Sequence, residues 1–173
     1  GRDRDAALLG PVATAVLDRT TQPVVLVGPH ARPPCAADAP VVVAIDGSPE
    51  DRKVVEVAAG WAASLDRELV VAAVTDPDRW PAPGGAADPA TYAAGLAAGV
   101  VGTGCAVSSL VIDDPSVRHG LVRLVDRTAA RLVAGAHRRT LPLRALVGSH
   151  TARILHDIAV PALLVPLGGD DVP

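Results

Sequence analysis

The chain alternates between two patterns of apolar residues. Short, continuous valine-rich runs are typical of strands that a parallel sheet buries on both faces. Longer stretches between them carry apolar residues at helical spacing. This alternation predicts right-handed crossovers and a parallel sheet within an α/β fold. In the longest continuous unit, the predicted strands are 41–46, 68–75, 106–112, 131–136 and 160–166. One predicted helix begins at Ser48, and three more cover 88–100, 115–129 and 149–159.

Part of this pattern occurs twice. Residues 10–28 align without gaps with residues 148–166, and both segments share a glycine, a helix, a turn, a proline and an apolar strand, which predicts an internal repeat. The identical pairs are Gly10 with Gly148, Leu17 with Leu155, Pro23 with Pro161, Leu26 with Leu164 and Val27 with Val165. We therefore expect 1–28 to be the end of a preceding module, 29–39 a linker, 40–167 one complete module and 168–173 a tail.

Composition narrows the class of protein. The net charge of −3 and the 2% aromatic content weigh against nucleic acid as the main partner. Cys35 and Cys105 form no CxxC pair, which fits a reducing compartment better than a disulfide scaffold. No apolar run approaches membrane-spanning length and no signal peptide is recognised. We expect a cytoplasmic protein without a membrane partner.

Asp46 is a candidate ligand-binding residue because it ends a predicted strand, and parallel sheets bind ligands at the carboxyl ends of their strands. Its carboxylate suits ribose hydroxyls or an exocyclic amine. The alternative is that Asp46, Gly47 and Ser48 only form the strand-to-helix turn, and turn chemistry alone favours this alternative. Ser48 is expected to cap the helix, and Glu50 and Asp51 to favour the positive end of its dipole.

The segment from Gly135 to Thr151 is the second candidate. Gly135 follows an apolar strand, where a small residue lets a ligand approach the backbone. Gly148 and Ser149 precede the last predicted helix, whose free N–H groups form an anion site beside the hydroxyls of Ser149 and Thr151. The alternative is an ordinary serine cap after a long loop, although loops of this length are often functional.

Several well-known motifs are absent from this segment. No lysine precedes Ser149, which excludes a Walker A loop, and no GxGxxG occurs. Without a GxSxG elbow, Ser149 beside His150 is not a catalytic dyad. The histidines show no metal-ligand spacing, so neither a metal site nor a catalytic residue is predicted. The basic cluster at 137–139 suits phosphate, although solvated loop charge is the commoner explanation.

The complete module resembles a known family. Its start resembles the opening of a universal stress protein domain, in the stretch VVVAIDGSPEDRKVVEVAAGWAASLDRELVVAAV, and its end resembles that domain's end, in GAHRRTLPLRALVGSHTARILHDIAVPALLVP. The resemblance covers 40–167 in order, and 1–28 resembles the end of another such domain, as in tandem members. It implies five parallel strands in the order 3-2-1-4-5 with helices on both faces, an adenine nucleotide alpha hydrolase-like sheet. The switch point then lies between strands one and four, so Asp46 and Gly135 would share one crevice.

The resemblance also implies an adenine nucleotide site. Members that bind ATP carry a glycine, two residues, a glycine, nine residues, a glycine, and then serine or threonine. Gly135, Gly148 and Ser149 match this spacing, while Arg138 stands at the second glycine. Its side chain is expected either to pair with phosphate or to fill the ligand's place.

The same resemblance assigns further contacts. Ala44 and Asp46 would lie along the adenosine, and Val74 would meet the base through its main chain. His150 and Thr151 would follow Ser149 along the phosphates.

Two functions remain open at this stage. The first is a regulatory module that binds ATP, or AMP or ADP, with Mg²⁺ as an accompanying ion. It would not be an enzyme, and weak ATPase activity is the least favoured interpretation. The alternative is an interaction or dimerisation module that has lost nucleotide binding, with Arg138 or the segment 141–142 filling the crevice.

The last predicted strand also implies an assembly. An apolar edge strand invites pairing with another chain, and in the family this edge meets its equivalent in a dimer or a tandem pseudo-dimer. We expect 22–28 to pair antiparallel with 160–166, within the chain or across a homodimer. The helix over 11–20 would then cover that seam.

Overall fold

The computed structural model describes residues 10–34, 36–75, 88–138 and 157–167. Within them, the elements follow the order that the apolar pattern predicts, with boundaries shifted by one to three residues. Most of the predicted helix over 149–159 lies outside the described residues. The elements are α1 (Gly10–Arg19), β1 (Val24–Leu26), β2 (Val41–Ile45), α2 (Asp51–Ser64), β3 (Leu69–Thr75), α3 (Pro89–Gly99), β4 (Val107–Asp113), α4 (Val117–Thr128), β5 (Leu132–Arg138) and β6 (Ala162–Leu167).

These strands form one sheet in the order β1-β6-β5-β2-β3-β4. Strands β2 to β6 run parallel to one another, and their order is the 3-2-1-4-5 order expected for five strands. The sheet as a whole has six strands, because β1 joins β6 as a further, antiparallel strand beside the five predicted ones. Its pairing satisfies backbone groups of β6 that an open sheet edge would leave unpaired.

The pairing of β1 with β6 has a two-fold register. In the repeat alignment, Val25 is the counterpart of Leu163, and these two residues lie opposite each other. The flanking pairs exchange counterparts, since Val24 lies opposite Leu164 and Leu26 opposite Ala162. The predicted antiparallel pairing of 22–28 with 160–166 is confirmed, and it forms within the chain.

Helices cover both faces of the sheet. Buried residues of α2 and α3 pack with Val41 and Val43 of β2 on one face. Leu17 of α1 and Leu124 of α4 pack with Val42 on the other face. Leu17 is 1% exposed and belongs to the same cluster as the residues of the β1–β6 seam, so α1 covers that seam as predicted. None of the helices within the described ranges is long and apolar enough to cross a membrane.

Candidate functional site

Strands β2 and β5 separate before they end. Their last paired residues are Val43 and Ala134. Strand β2 remains paired with β3 as far as Ile45, and β5 remains paired with β6 as far as Arg138. The ends of β2 and β5 therefore diverge, and we name the space between them the β2–β5 crevice. It lies at the point where the strand order reverses, which is the usual ligand position in such sheets.

Four of the predicted site residues lie at this end of the sheet. Ala44 and Gly135 are the first residues beyond the last β2–β5 pair, and both are partly exposed. A Cβ built on Gly135 would meet no atom of the described residues within 4 Å. Asp46 directly follows β2 and is exposed. Val74, the penultimate residue of β3, comes one residue after the Ala73 that pairs with Ile45, so it lies level with Asp46.

The other predicted site residues are less defined. Arg138 ends β5, three residues beyond Gly135, and its backbone is paired with Leu167 of β6. The expected phosphate contacts at Gly148, Ser149, His150 and Thr151 lie outside the described residues, as does the 141–142 segment. The anion site at the start of the last helix therefore stays a prediction.

The turn after β2 fixes the position of Asp46. Gly47 has a φ of +83°, which strains any residue with a Cβ. The Ser48 amide donates a hydrogen bond to Asp46 Oδ1, with an N···O distance of 3.1 Å. Asp46 thus takes part in the turn, and the residue is also exposed at the carboxyl end of β2. The two roles considered for Asp46 are compatible.

The buried carboxylate of Asp51 stabilises this turn through hydrogen bonds. Asp51 is 1% exposed. Its Oδ2 accepts the Gly47 amide at 2.7 Å, and its Oδ1 accepts the Asp46 amide and the Ser48 hydroxyl, both at 3.4 Å. The predicted capping role of Ser48 is wrong: α2 starts at Asp51, and its N-cap residue Glu50 makes no side-chain cap bond. The Ser48 hydroxyl contacts the Asp51 carboxylate instead.

Tyr92 of α3 completes the group. Its hydroxyl oxygen lies 2.9 Å from the Ser48 carbonyl oxygen, to which it donates, and 3.3 Å from Asp51 Oδ2. Burial, with the Asp46 charge adding to it, raises the pKa of Asp51 to about 6. Burial and the neighbouring Asp51 charge raise the pKa of Tyr92 to about 12. We name Asp51, Tyr92 and the 46–48 turn the turn network.

A second polar group lies at the neighbouring strand end. Asp114 follows β4 and is buried; it accepts hydrogen bonds from the Ser116 amide at 3.0 Å and Arg123 Nη1 at 3.1 Å. Its Oδ2 also lies 2.7 Å from His119 Nδ1. These contacts, the Ser116 amide above all, lower the pKa of Asp114. His119 is thus held by a carboxylate, and no group of three or more His, Cys, Asp or Glu side chains within the described residues could hold a metal ion.

Gly120 brings α4 close to the candidate site. A Cβ built on Gly120 would lie 2.3 Å from Val74 Cγ1 and 3.1 Å from Asp114 Cβ. The start of α4 can therefore pack against the end of β3 only because this position carries no side chain. This contact could not be predicted from the sequence, since a lone glycine in a helix indicates only a weak helix former.

Comparison with known proteins agrees with this architecture. The sequence profile of the Universal stress protein family matches residues 39–166. No curated protein matches the chain at a significant level. A universal stress protein from Archaeoglobus fulgidus DSM 4304 is 17% identical with a TM-score of 0.74, over 99% of this chain and 59% of that one. The present chain thus spans 59% of that structure's length.

Two shorter solved structures match this chain over almost their whole length. A universal stress protein in complex with cAMP is 21% identical with a TM-score of 0.60, over 77% of this chain and 100% of that one. A universal stress protein family protein from Arabidopsis thaliana with AMP bound is 13% identical with a TM-score of 0.51, over 78% of this chain and 96% of that one. At these identities the likeness shows the fold, and the profile match covers most of the chain. The chain belongs to the universal stress protein family.

Proposed function

We propose that the complete module binds an adenine nucleotide in the β2–β5 crevice and acts as a regulatory module, not as an enzyme. The early end of the β2–β5 pairing, beyond Val43 and Ala134, carries this proposal. Ala44 and Gly135 lie just beyond this last pair, and Asp46 is exposed at the end of β2, which supports a ligand site there. A carboxylate there can accept hydrogen bonds from a ribose hydroxyl or an exocyclic amine.

Ligands of similar proteins support the class of ligand. Besides the cAMP and AMP complexes, a universal stress protein from Archaeoglobus fulgidus is known in complex with dAMP. It is 16% identical to this chain, with a TM-score of 0.53. These ligands share adenine, the sugar ring and a phosphate, but they share no single free ribose hydroxyl. The proposed recognition of the base by Asp46 and the Val74 main chain suits all three.

In this proposal, the phosphates of the ligand lie next to the remaining predicted site residues. Gly148, Ser149, His150 and Thr151 would receive the phosphates, and Arg138 would pair with them as a guanidinium. ATP is our preferred ligand, with Mg²⁺ carried on its phosphates. Calorimetric titrations with ATP, ADP and AMP, each with and without Mg²⁺, separate these contributions.

Three variants test the location of the site. Asp46→Ala should weaken binding of every nucleotide by about tenfold, because it removes a charged hydrogen-bond acceptor. Gly135→Val and Gly148→Val should abolish binding by filling the ligand's space. Ser109→Val, on the exposed face of the edge strand β4, is the matched control and should bind like the wild type. A folded wild type that binds no nucleotide at millimolar concentration would contradict the proposal.

One observation favours the alternative function as an interaction module. Residues 10–28 occupy the edge of β6 with the two-fold register of two like modules. We propose that this segment is the end of a preceding module and that its contact with β6 is a tandem pseudo-dimer seam. If nucleotide binding is absent, this seam is the remaining candidate for the module's role. ATP turnover above a protein-free blank, lost in Asp46→Ala, would instead indicate ATPase activity.

A further inference from the structure

The backbone around Asp46 is fixed from two other elements. The Asp51 carboxylate, at the start of α2, accepts the amides of Asp46 and Gly47. The Tyr92 hydroxyl, on α3, donates to the Ser48 carbonyl. These bonds hold the chain on both sides of the Asp46–Gly47 peptide, and the positive φ of Gly47 makes its orientation specific.

The Gly47 bond is buried and short, while the bond from Tyr92 to Ser48 is part-buried at 2.9 Å and the Asp46 bond is part-buried and longer, at 3.4 Å. Asp51 is 1% exposed and Ser48 is 8% exposed, so water does not compete freely for the same groups. The Gly47 bond, at 2.7 Å, has the length of a charge-assisted hydrogen bond. A loss of either partner would leave a buried amide or carbonyl without its acceptor or donor, which is costly.

We propose that Asp51 and Tyr92 are positioning residues that hold the Asp46 carboxylate toward the β2–β5 crevice. The proposal rests on the proposed nucleotide-binding function. Neither side chain needs to touch the nucleotide, since both act through the 46–48 turn. Tyr92 thereby makes the affinity of the crevice depend on the docking of α3, which otherwise packs on β3 and β4.

Two conservative variants test this role, with affinity for AMP and ATP as the first readout. Tyr92→Phe removes only the hydroxyl, and Asp51→Asn keeps the size but removes the charge and one acceptor. Each should raise the dissociation constant about three- to tenfold, the effect of one or two lost hydrogen bonds. Two variants serve as controls. Ala94→Ser changes an exposed residue of α3, and Glu56→Gln removes an exposed carboxylate from α2. Both controls should bind like the wild type.

Amide hydrogen exchange at Gly47 is the second readout, and it needs no ligand. The Gly47 amide should be protected in the wild type and in both controls, and should exchange at least about tenfold faster in Asp51→Asn and Tyr92→Phe. Faster exchange together with weaker nucleotide binding supports the positioning role. Unchanged affinity in both variants overturns it, whatever the exchange rates.

The two proposals fail separately. If the wild type binds no nucleotide, the proposed function fails, and amide exchange alone decides whether Asp51 and Tyr92 position the turn. Unchanged exchange at Gly47 in Tyr92→Phe then overturns the contribution of Tyr92. If the wild type binds nucleotide but the variants bind equally well, the proposed function stands and the positioning role is wrong.

Discussion

The hydroxyl oxygen of Tyr92 lies 3.3 Å from Oδ2 of Asp51, although 41 positions separate the two residues in the sequence. The contact joins helices α2 and α3 at the carboxyl end of the sheet, directly under the turn that carries Asp46. Because both groups titrate, the contact has consequences that can be measured without any ligand.

The first prediction concerns ionisation of Tyr92. Burial and the Asp51 charge raise its pKa to about 12, because both disfavour the phenolate. Since the chain contains a single tyrosine, its near-ultraviolet absorbance titration reports on this residue alone. Asp51→Asn should lower the midpoint, since one negative neighbour is gone. A wild-type midpoint near 10, in protein that circular dichroism shows to be folded, would contradict the network.

The second prediction concerns the pH dependence of stability. The pKa of Asp51 is about 6 in the folded protein against an ordinary value of 3.8. Between these values the folded state retains a proton that the unfolded state has released, so stability falls as pH rises from about 4 to about 6. The loss from this group is about 3 kcal/mol at most, from 1.36 kcal/mol per pKa unit.

Urea unfolding at about pH 4 and about pH 7 measures this effect. Asp51→Asn should lose less stability than the wild type over this interval, because its side chain does not titrate. Glu56→Gln, which removes an exposed carboxyl from the same helix, should follow the wild type. Equal pH slopes in wild type and Asp51→Asn would show that Asp51 is not the titrating group.

The third prediction concerns the two glycines of helices α2 and α4. Gly120→Ala should lower the free energy of unfolding by about 1–3 kcal/mol, because its Cβ would lie 2.3 Å from Val74 Cγ1. Gly60→Ala is the matched control, since a Cβ there meets nothing within 4 Å, and it should stabilise by up to about 1 kcal/mol. Chemical denaturation of both variants checks the pair. Equal changes in the free energy of unfolding for Gly120→Ala and Gly60→Ala would disprove the close packing of α4 on Val74.

The fourth prediction concerns the β6 edge. Removal of residues 1–28 takes away β1 and exposes the backbone of Ala162 to Leu164. The shortened chain should then self-associate through β6, as unpaired edge strands tend to do. Light scattering after size-exclusion chromatography measures the change. Val12 is an exposed residue of α1, so the undeleted chain with Val12→Ala should keep the oligomeric state of the wild type. A folded but unassociated shortened chain would contradict the prediction.

The strands of the sheet could be predicted because each is marked by a local apolar pattern or by the internal repeat. Short apolar runs mark β2 to β6, and the repeat with 148–166 indicated that 22–28 is an edge strand. The neighbourhood of Asp46 and Gly135 was different. Spacing along the chain does not reveal which strands are adjacent, so their shared crevice followed only from the family's strand order.

The turn network could not be predicted, for a physical reason. Asp51 lies in the first turn of a helix, where an acidic residue is favoured by the dipole alone. Its actual partners depend on the positive φ of Gly47, which folds the turn back over the carboxylate. Tyr92 reaches the same place from another helix, and no periodicity connects it with Asp51. Contacts of this kind become visible only once the elements are assembled.

The pairing of β1 with β6 also changes how this contact responds to dilution. Between two separate chains, so short a strand pairing would depend on protein concentration. Here residues 27–40 connect β1 to β2 of the same sheet, and a short linker gives the linked parts an effective concentration on the order of millimolar. The seam should therefore persist in single molecules at any dilution, and its strength can be altered by the linker as well as by the strands.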